Sequence, residues 1–262
     1  MSRLDDTAFV QKQYATAANL NARIALHETY STAPEHFHDW LFDQIRLPDT
    51  ARVLEVGCGS GALWERVRAR VPKQWRVTLT DFSFGMAHTV REKFFSPQFS
   101  FANCDAQCLA FADASCDGIL ANHMLYHVPN VPRALTEFRR VLKPGGALYA
   151  ATNGEKHLQE IHALVASVRG RADFVPERGF SLENGAAQLR QHFARVARLD
   201  HPNALRVTHA ESLIAYVLSW DGYRIAPTEY ALIDELRRRV QDEIDARGAF
   251  HITKAVGLFI AR

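Results

Sequence analysis

The sequence predicts an α/β protein built on a doubly wound, mostly parallel sheet, and three observations predict it. Short apolar runs alternate with helix-forming stretches between residues 53 and 151, the pattern of successive βαβ units. The first run, Val53-Leu54-Glu55-Val56, breaks into Gly57-Cys58-Gly59-Ser60-Gly61 and then into Ala62-Leu63-Trp64-Glu65-Arg66-Val67, which reads as strand, tight turn and helix. Asp81, Asp105 and Asn122 fall at the ends of later runs, the edge at which such sheets bind ligands.

Residues 5–30 read as helical, with Phe9, Tyr14, Ala17, Leu20, Ile24 and Leu26 forming an uneven apolar stripe among Asn19, Asn21, Arg23 and His27. Pro34-Glu35-His36-Phe37-His38-Asp39 breaks this region and caps a helix over residues 40–45. The glycine turn that follows the first strand lets the chain reverse and lets a ligand approach the backbone. The next helix aims its unpaired N–H groups and the positive end of its dipole into the same space. Residues 75–80 form a second strand ending at Asp81, whose carboxylate suits the hydroxyls of a ribose. A helix over 84–95, a strand over 98–102 before Asp105-Ala106, a strand over 117–121, a helix over 131–142 and a strand over 147–151 complete this half. From residue 154 the chain is helical and irregular, with a loop through Asp173-Phe174-Val175-Pro176 and Arg178-Gly179-Phe180. Ser181 followed by Asn184-Gly185 does not give a clean capping box. Beyond it, 186–192 is a short helix, 193–199 a strand and 204–207 a further extended piece. Residues 209–219 and 227–246 are helices, and 250–260 is a closing strand.

A chain of 262 residues, 47% hydrophobic and 23% charged, can bury a full core within one domain. Its net charge of +2 gives no ground for nucleic acid or an acidic membrane as partner. Arg237-Arg238-Arg239, beside Glu235, Asp242 and Glu243, reads as a solvated helix face. Cys58, Cys104, Cys108 and Cys116 contain no Cys-x-x-Cys pair, as in reduced cytoplasmic proteins. The amino terminus lacks the apolar stretch of a signal peptide, and no run approaches the ~20 apolar residues of a membrane span. His36 and His38 stand at a spacing that can bring two imidazoles to one metal, and Cys104 and Cys108 at one that can bring two thiols. The cysteines lack the partners that complete a tetrahedral set and the histidine pair reads as polar loop, so no metal is expected.

Val141-Leu142-Lys143-Pro144-Gly145-Gly146 precedes the fifth strand. Together with Glu55, Gly57, Gly59, Gly61, Asp81 and Asp105-Ala106, it makes residues 50–152 resemble the class I S-adenosylmethionine-dependent methyltransferases. The likeness is to the small-molecule branch that includes the ubiquinone and menaquinone methyltransferases. It implies a Rossmann-like seven-stranded sheet whose last strand is antiparallel, S-adenosylmethionine as cofactor and a small-molecule methyl acceptor. The core then spans about 40–153, 193–199 and 250–262, with a helical cap or lid over about 1–39 and 154–249. The same resemblance suggests Tyr14, Arg23 and His27 as lid residues, although a surface helix fits that segment equally well. With Asn19, these side chains hint at a polar or carboxylate-bearing acceptor.

The resemblance implies roles residue by residue. Backbone N–H groups of Gly57, Cys58, Gly59 and Gly61 take the methionine carboxylate, and Glu55 orients the amino group or the turn itself. Asp81 accepts from the ribose, and Phe82 lies on the adenine face. Asp105 accepts from the adenine amine, the Ala106 N–H donates to a ring nitrogen, and Asn122 stands at the same edge. Methyl transfer is an in-line displacement carried mostly by positioning and desolvation. It needs a base only when the nucleophile arrives protonated. Asn122-His123-Met124-Leu125-Tyr126-His127-Val128-Pro129 faces the transfer point in related enzymes. His123, Tyr126 and His127 are the candidates, with His123 ahead of His127, which is largely structural in many relatives.

Two other readings compete. A nicotinamide-dependent oxidoreductase spaces its third glycine one residue beyond Gly61 and does not call for Asp105-Ala106 or Lys143-Pro144-Gly145-Gly146. A binding module that keeps the cofactor site without catalysis would carry the same residues. Base methylation in nucleic acid is disfavoured, since His123-Met124 follows Asn122 where such enzymes carry Pro-Pro-Tyr or Pro-Pro-Phe.

Overall fold

The computed structural model describes residues 17–94, 96–170, 179–220, 223 and 225–262, with the side chains of all of these but 17–22, 87 and 89. The chain divides into two compact units: Glu35–Gly154 with Arg178–His201 and Val256–Arg262, and Met1–Pro34 with Glu155–Glu177 and Pro202–Ala255.

In the first of these, β1 (Arg52–Val56), β2 (Arg76–Asp81), β3 (Phe99–Asn103), β4 (Cys116–Asn122), β5 (Leu142–Asn153), β6 (Val196–Asp200) and β9 (Val256–Ala261) form one sheet in the order β3-β2-β1-β4-β5-β9-β6. The first five strands are mutually parallel, and β9 runs antiparallel to both its neighbours, β5 and β6. Val53, Val77, Leu79, Leu120, Tyr149, Ala151 and Leu258 share one apolar cluster with Leu41, Leu63, Trp64, Val67, Val90 and Phe94. The intervening Leu54, Val56, Ile119, Ala121, Leu148, Ala150 and Phe259 are buried as well. A sheet covered on both faces accounts for strands that read as continuous apolar runs rather than alternating ones.

The helices of this unit are set by local signals. For α2 (Phe37–Asp43), preceded by α1 (Ala17–Tyr30) of the other unit, the cap is His36, whose Nδ1 accepts the His38 N–H at 3.2 Å. The histidine pair thus serves a helix N-terminus. The His38 imidazole is held neutral, its pKa lowered to about 4 by burial and by His36. α3 (Ala62–Val67) and α4 (Phe84–Lys93) follow β1 and β2, the latter capped by Ser83. α5 (Val131–Val141) buries Val131, Ala134, Leu135, Phe138 and Val141, one stripe at helical spacing. Lys143 Nζ lies 2.7 Å from Asp117 Oδ1, and Asp117 Oδ2 accepts the Arg52 N–H at 2.8 Å. The Lys-Pro-Gly-Gly stretch therefore pins the start of β5 to β4 and β1, at the edge opposite the strand ends that carry Asp81 and Asn122.

The strands near the end of the chain differ from expectation. The segment 250–260 is two strands, since β8 (Phe250–Lys254) pairs antiparallel with β7 (Asn203–Val207) in a separate two-stranded sheet, and only β9 joins the seven. The two pieces follow each other with no turn residue between them, and the break falls at Ala255. β6 begins three residues later than the sequence suggests, because the Phe193 N–H still bonds to Leu189 O behind α7 (Gly185–Leu189). The turn that leads into α7, whose own N-cap Asn184 makes no side-chain cap bond, is held by a reciprocal pair: Ser181 N–H donates to Asn184 Oδ1 at 2.8 Å and Asn184 N–H to Ser181 Oγ at 3.3 Å. Asparagine here does what glutamate or glutamine does in the usual capping box.

The other unit consists of α1, α6 (Gln159–Arg169), α8 (Ala210–Ser219), α9 (Tyr230–Arg247) and the β7–β8 pair. Its core joins Leu26, Ile161, Val165, Leu205, Leu213, Val217, Ile233, Leu236, Val240 and Ile252. On α9, Arg238 pairs with Glu235 and Asp242, Arg239 with Glu235, and Arg237 with Asp234 and with Glu211 of α8. The triple-arginine run is a solvated, ion-paired helix face. No helix among the described residues is long and apolar enough to cross a membrane.

Candidate functional site

The carboxyl ends of β1, β2 and β4, with the loop after β3, bring most of the expected residues together. β1 runs into a turn in which Gly57, Gly59 and Gly61 have φ of 73°, 52° and 75°. A side chain at Gly57 would place its Cβ 2.7 Å from Met124 Cβ, and one at Gly61 would lie 2.7 Å from the Phe94 ring. Glycine is therefore required there twice over, by conformation and by crowding. The turn is tied to β2: Cys58 N–H donates to Thr80 O and Gly59 N–H to Asp81 Oδ2, both at 2.9 Å. Asp81 Oδ1 accepts the Ser83 N–H at 2.8 Å. Burial pushes the Asp81 carboxyl up, against the pull of these two N–H groups. Each carboxylate oxygen retains acceptor capacity for a ligand hydroxyl.

Glu55 is fully enclosed. Its Oε2 accepts from the Trp64 indole and its Oε1 from Asn122 Nδ2 at 2.9 Å. Burial raises its pKa to about 7, opposed by those two hydrogen bonds and reinforced by the nearby Asp81 charge. With the amide nitrogen of Asn122 committed to Glu55, Oδ1 is left buried without a hydrogen-bond partner among the described residues. Such an orphan acceptor is costly unless a ligand donor satisfies it. Cys58 is buried, and desolvation, with the charges of Glu55 and Asp81, raises its pKa, so it remains a neutral thiol.

Beyond β3, Asn103 Nδ2 donates to Asp81 O and Phe82 O at 2.9 Å each, joining the two strand ends. Phe82 is 48% exposed, available to a ligand rather than committed to the core. Asp105 accepts the Gln107 N–H at 2.8 Å and the Gln107 amide at 3.1 and 3.2 Å, while Ala106 is buried.

After Asn122, His123 adopts a φ of 53°, uncommon for a residue with a side chain. Its N–H is fixed to Ala151 O at 2.9 Å, and its ring centroid lies 5.1 Å from Phe37 and 6.5 Å from Tyr126. Leu125–His127 is a single 3₁₀ turn with Leu125 fully buried, which packs Tyr126 edge-on to His127 at 4.5 Å. A left-handed non-glycine residue at the carboxyl ends of parallel strands, where such sheets bind ligands, points to function. Arg23 and His27 belong to α1 of the other unit, and Tyr14 lies outside the described residues. No group of three or more metal-ligating side chains occurs among the described residues.

Trp64, Asn103, Gln107, Met124 and Phe37 also build this site, and the sequence analysis did not single them out for it. Gln107, adjoining Asp105-Ala106, was the most accessible. The Trp64 contact to Glu55 needs the β1–α3 packing angle, which no spacing rule supplies.

Residues 54–150 match the family model described as a methyltransferase domain. The chain is 34% identical over 158 residues to a malonyl-[acyl-carrier protein] O-methyltransferase of Erwinia pyrifoliae, covering 59% of this chain and 56% of that protein. It is 35% identical over 109 residues to a 2-phytyl-1,4-naphtoquinone methyltransferase of Thermosynechococcus vestitus, covering 41% and 47%. The chain thus spans about half the length of these relatives. Among solved structures, a SAM-dependent methyltransferase from Aquifex aeolicus shares the fold with a TM-score of 0.52 at 16% identity, over 69% of this chain and 90% of that one. The [4+2]-cyclase SpnF shares it with a TM-score of 0.61 at 18% identity, over 98% and 95%. Residues 54–150 thus carry a methyltransferase domain, and the strand order and glycine turn around it resemble those of the class I S-adenosylmethionine-dependent methyltransferases.

Proposed function

We propose that the protein transfers a methyl group from S-adenosylmethionine to a small-molecule acceptor, at oxygen or nitrogen rather than carbon. The observation that carries this is the convergence of the glycine turn, Asp81, Asp105 and the unsatisfied Asn122 Oδ1 on one edge of adjacent parallel strands. The cofactor fits this donor and acceptor set, having hydroxyls and amines for the carboxylates and an ammonium for the buried orphan oxygen. When bound, it supplies an electrophilic methyl group on a positively charged sulfur. The Cys58, Gly59 and Gly61 N–H groups donate to Thr80 O, Asp81 Oδ2 and Cys58 O. The expected grip of these amides on the carboxylate therefore gives way to close approach of the amino-acid end to the glycine turn. Asp81 accepts from the ribose hydroxyls, and Asp105 with the Ala106 N–H reads the adenine. Phe82 stacks on the base. Anionic Asp81 and the half-titrated Glu55 favour a cationic ligand. His123 takes the proton of an acceptor hydroxyl or amine, while Tyr126 and His127 orient the acceptor. Relatives named for O-methylation of malonyl-[acyl-carrier protein] and for methylation of a naphtoquinone support a small acceptor group as the site of attack. The unpaired cysteines suit the cytoplasm.

Calorimetric titration with S-adenosylmethionine, S-adenosylhomocysteine and NAD tests the reading. The first two should bind and NAD should not. Asp81→Asn, which keeps an acceptor for one of the two N–H groups on Asp81, should weaken both by about tenfold. Binding of NAD alone, or unchanged affinity in Asp81→Asn, overturns the assignment. His123→Ala should leave affinity for S-adenosylhomocysteine within about twofold, since its role lies with the acceptor.

A further inference from the structure

Gln107 joins two parts of the site that are separate in sequence. One end of its side-chain amide, Nε2, meets both carboxylate oxygens of Asp105. At the other end, Oε1 accepts the Asn130 N–H at 3.1 Å. Asn130 caps α5, its Oδ1 accepting the Arg133 N–H at 3.0 Å, and Arg133 Nε returns to the Gln107 carbonyl at 2.9 Å. Gln107, Asn130 and Arg133 therefore close a ring of hydrogen bonds, with Asp105 attached to it through the Gln107 side-chain amide and backbone N–H. The segment that ends at Asn130 begins at Asn122 and carries His123, Tyr126 and His127.

We propose that Gln107 is a positioning residue that couples a ligand held at Asp105 to the order of the segment ending at Asn130, so that filling the adenine end prepares the acceptor side. The proposal rests on the reading of Asp105 as the adenine contact. A donor from the ligand fixes the Asp105 carboxylate, and the fixed carboxylate holds the Gln107 amide in one orientation. That orientation keeps Oε1, rather than Nε2, turned to the Asn130 N–H. A flipped amide would set a donor against a donor. Hydrogen bonds linked through one amide also polarise each other. By linkage, an acceptor that orders the segment tightens adenine binding by the same factor. The bonds at Asn130 and Arg133 are exposed and those at Asp105 part-buried, so they compete with water, which places the coupling at the low end of the usual range, about fivefold.

Arg133 grips the Gln107 backbone, so side-chain variants leave the loop attached. Amide hydrogen exchange at Asn130 and Arg133 reads the coupling in the full chain, with S-adenosylhomocysteine, adenosine and methionine as probes and calorimetry to establish occupancy. In the wild-type protein, S-adenosylhomocysteine and adenosine should slow exchange at both amides by about fivefold, and methionine should not. In Gln107→Met, which keeps the chain length and removes both bonds, S-adenosylhomocysteine should still bind while the slowing disappears. In Gln107→Glu, which keeps an acceptor for Asn130 and sets a charge against Asp105, affinity should fall with the Asn130 bond retained. Slowing that persists in Gln107→Met, or bound S-adenosylhomocysteine that leaves wild-type exchange unchanged, overturns the coupling alone. Failure of S-adenosylhomocysteine to bind the wild-type protein overturns the cofactor reading beneath it.

Discussion

Glu55 and Asp105 are both carboxylates at the ligand edge of the sheet, and they are held in opposite ways. Glu55 is enclosed and gripped by Trp64 and Asn122, nine and 67 residues away, and burial lifts its pKa to about 7. Asp105 is half-exposed and bonded to Gln107, two residues along, through backbone and side chain. A group fixed by distant residues answers to the integrity of the fold. One fixed by its neighbours at the surface answers to a ligand. Perturbations on the β1 side should therefore register as stability and pH dependence, and those toward β3 as affinity.

The largest effect should come from the turn beside Glu55. Gly57→Ala forces a side chain into a left-handed conformation, at about 1–2 kcal/mol. It also sets a Cβ 2.7 Å from Met124 Cβ, a rigid atom close to the backbone, which adds about 1–3 kcal/mol. Gly59→Ala meets the same conformational cost with nothing within 4 Å of its Cβ. Urea denaturation should show Gly57→Ala losing about 2–5 kcal/mol and Gly59→Ala about 1–2, with the Gly57 loss the larger. Equal losses would mean that Met124 does not close on the turn.

That asymmetry also marks where sequence reading reaches its limit. The strand–turn–helix order, the parallel half of the sheet and the positions of Asp81, Asp105 and Asn122 were legible, because each rests on local pattern. The seven-stranded order with an antiparallel last strand came only from resemblance. Phe250–Lys254 and Val256–Ala261 follow each other with a single residue between them, and pairing partners assign them to different sheets. At the site, glycine spacing announces a turn but cannot say which glycine faces Met124. Nor can it say that the acidic residue of the motif will be enclosed by an indole and an amide. The family-like Lys143-Pro144-Gly145-Gly146 was legible as a motif while its work, a clip between Lys143 and Asp117 at the far edge, was not.

The next effect tests the enclosed carboxylate directly. Glu55 has a pKa near 7 in the fold against an ordinary 4.5, so the folded state keeps a proton that the unfolded state loses. Its contribution to stability is complete below pH 4.5 and is lost as the pH rises from about 4.5 to about 7, by about 3 kcal/mol in total. Glu55→Gln carries no charge at any pH and removes this dependence. Its amide can accept from Trp64 and donate to a flipped Asn122, which also satisfies the orphan oxygen. Between pH 5 and pH 8 stability should therefore drop by about 2–3 kcal/mol more in the wild-type protein than in Glu55→Gln. Parallel curves would place Glu55 in contact with water and dissolve the contrast with Asp105.

The smallest effect on folding should come from Phe82, and there the two regions separate most cleanly. Phe82 is 48% exposed, so Phe82→Ala should change folding stability by no more than about 0.5 kcal/mol. Stacking of a base on an aromatic ring is worth about 1–3 kcal/mol, so the same variant should bind S-adenosylhomocysteine at least about fivefold more weakly. Phe84, 76% exposed at the first position of α4, supplies the control. It has the same ring two residues farther from Asp81, and Phe84→Ala should alter neither quantity. A loss of affinity shared by both variants would trace to general apolar attraction along this edge. A loss confined to Phe82→Ala requires a ligand whose flat face lies against the residue next to Asp81, as the base of a nucleoside does when its ribose is held there.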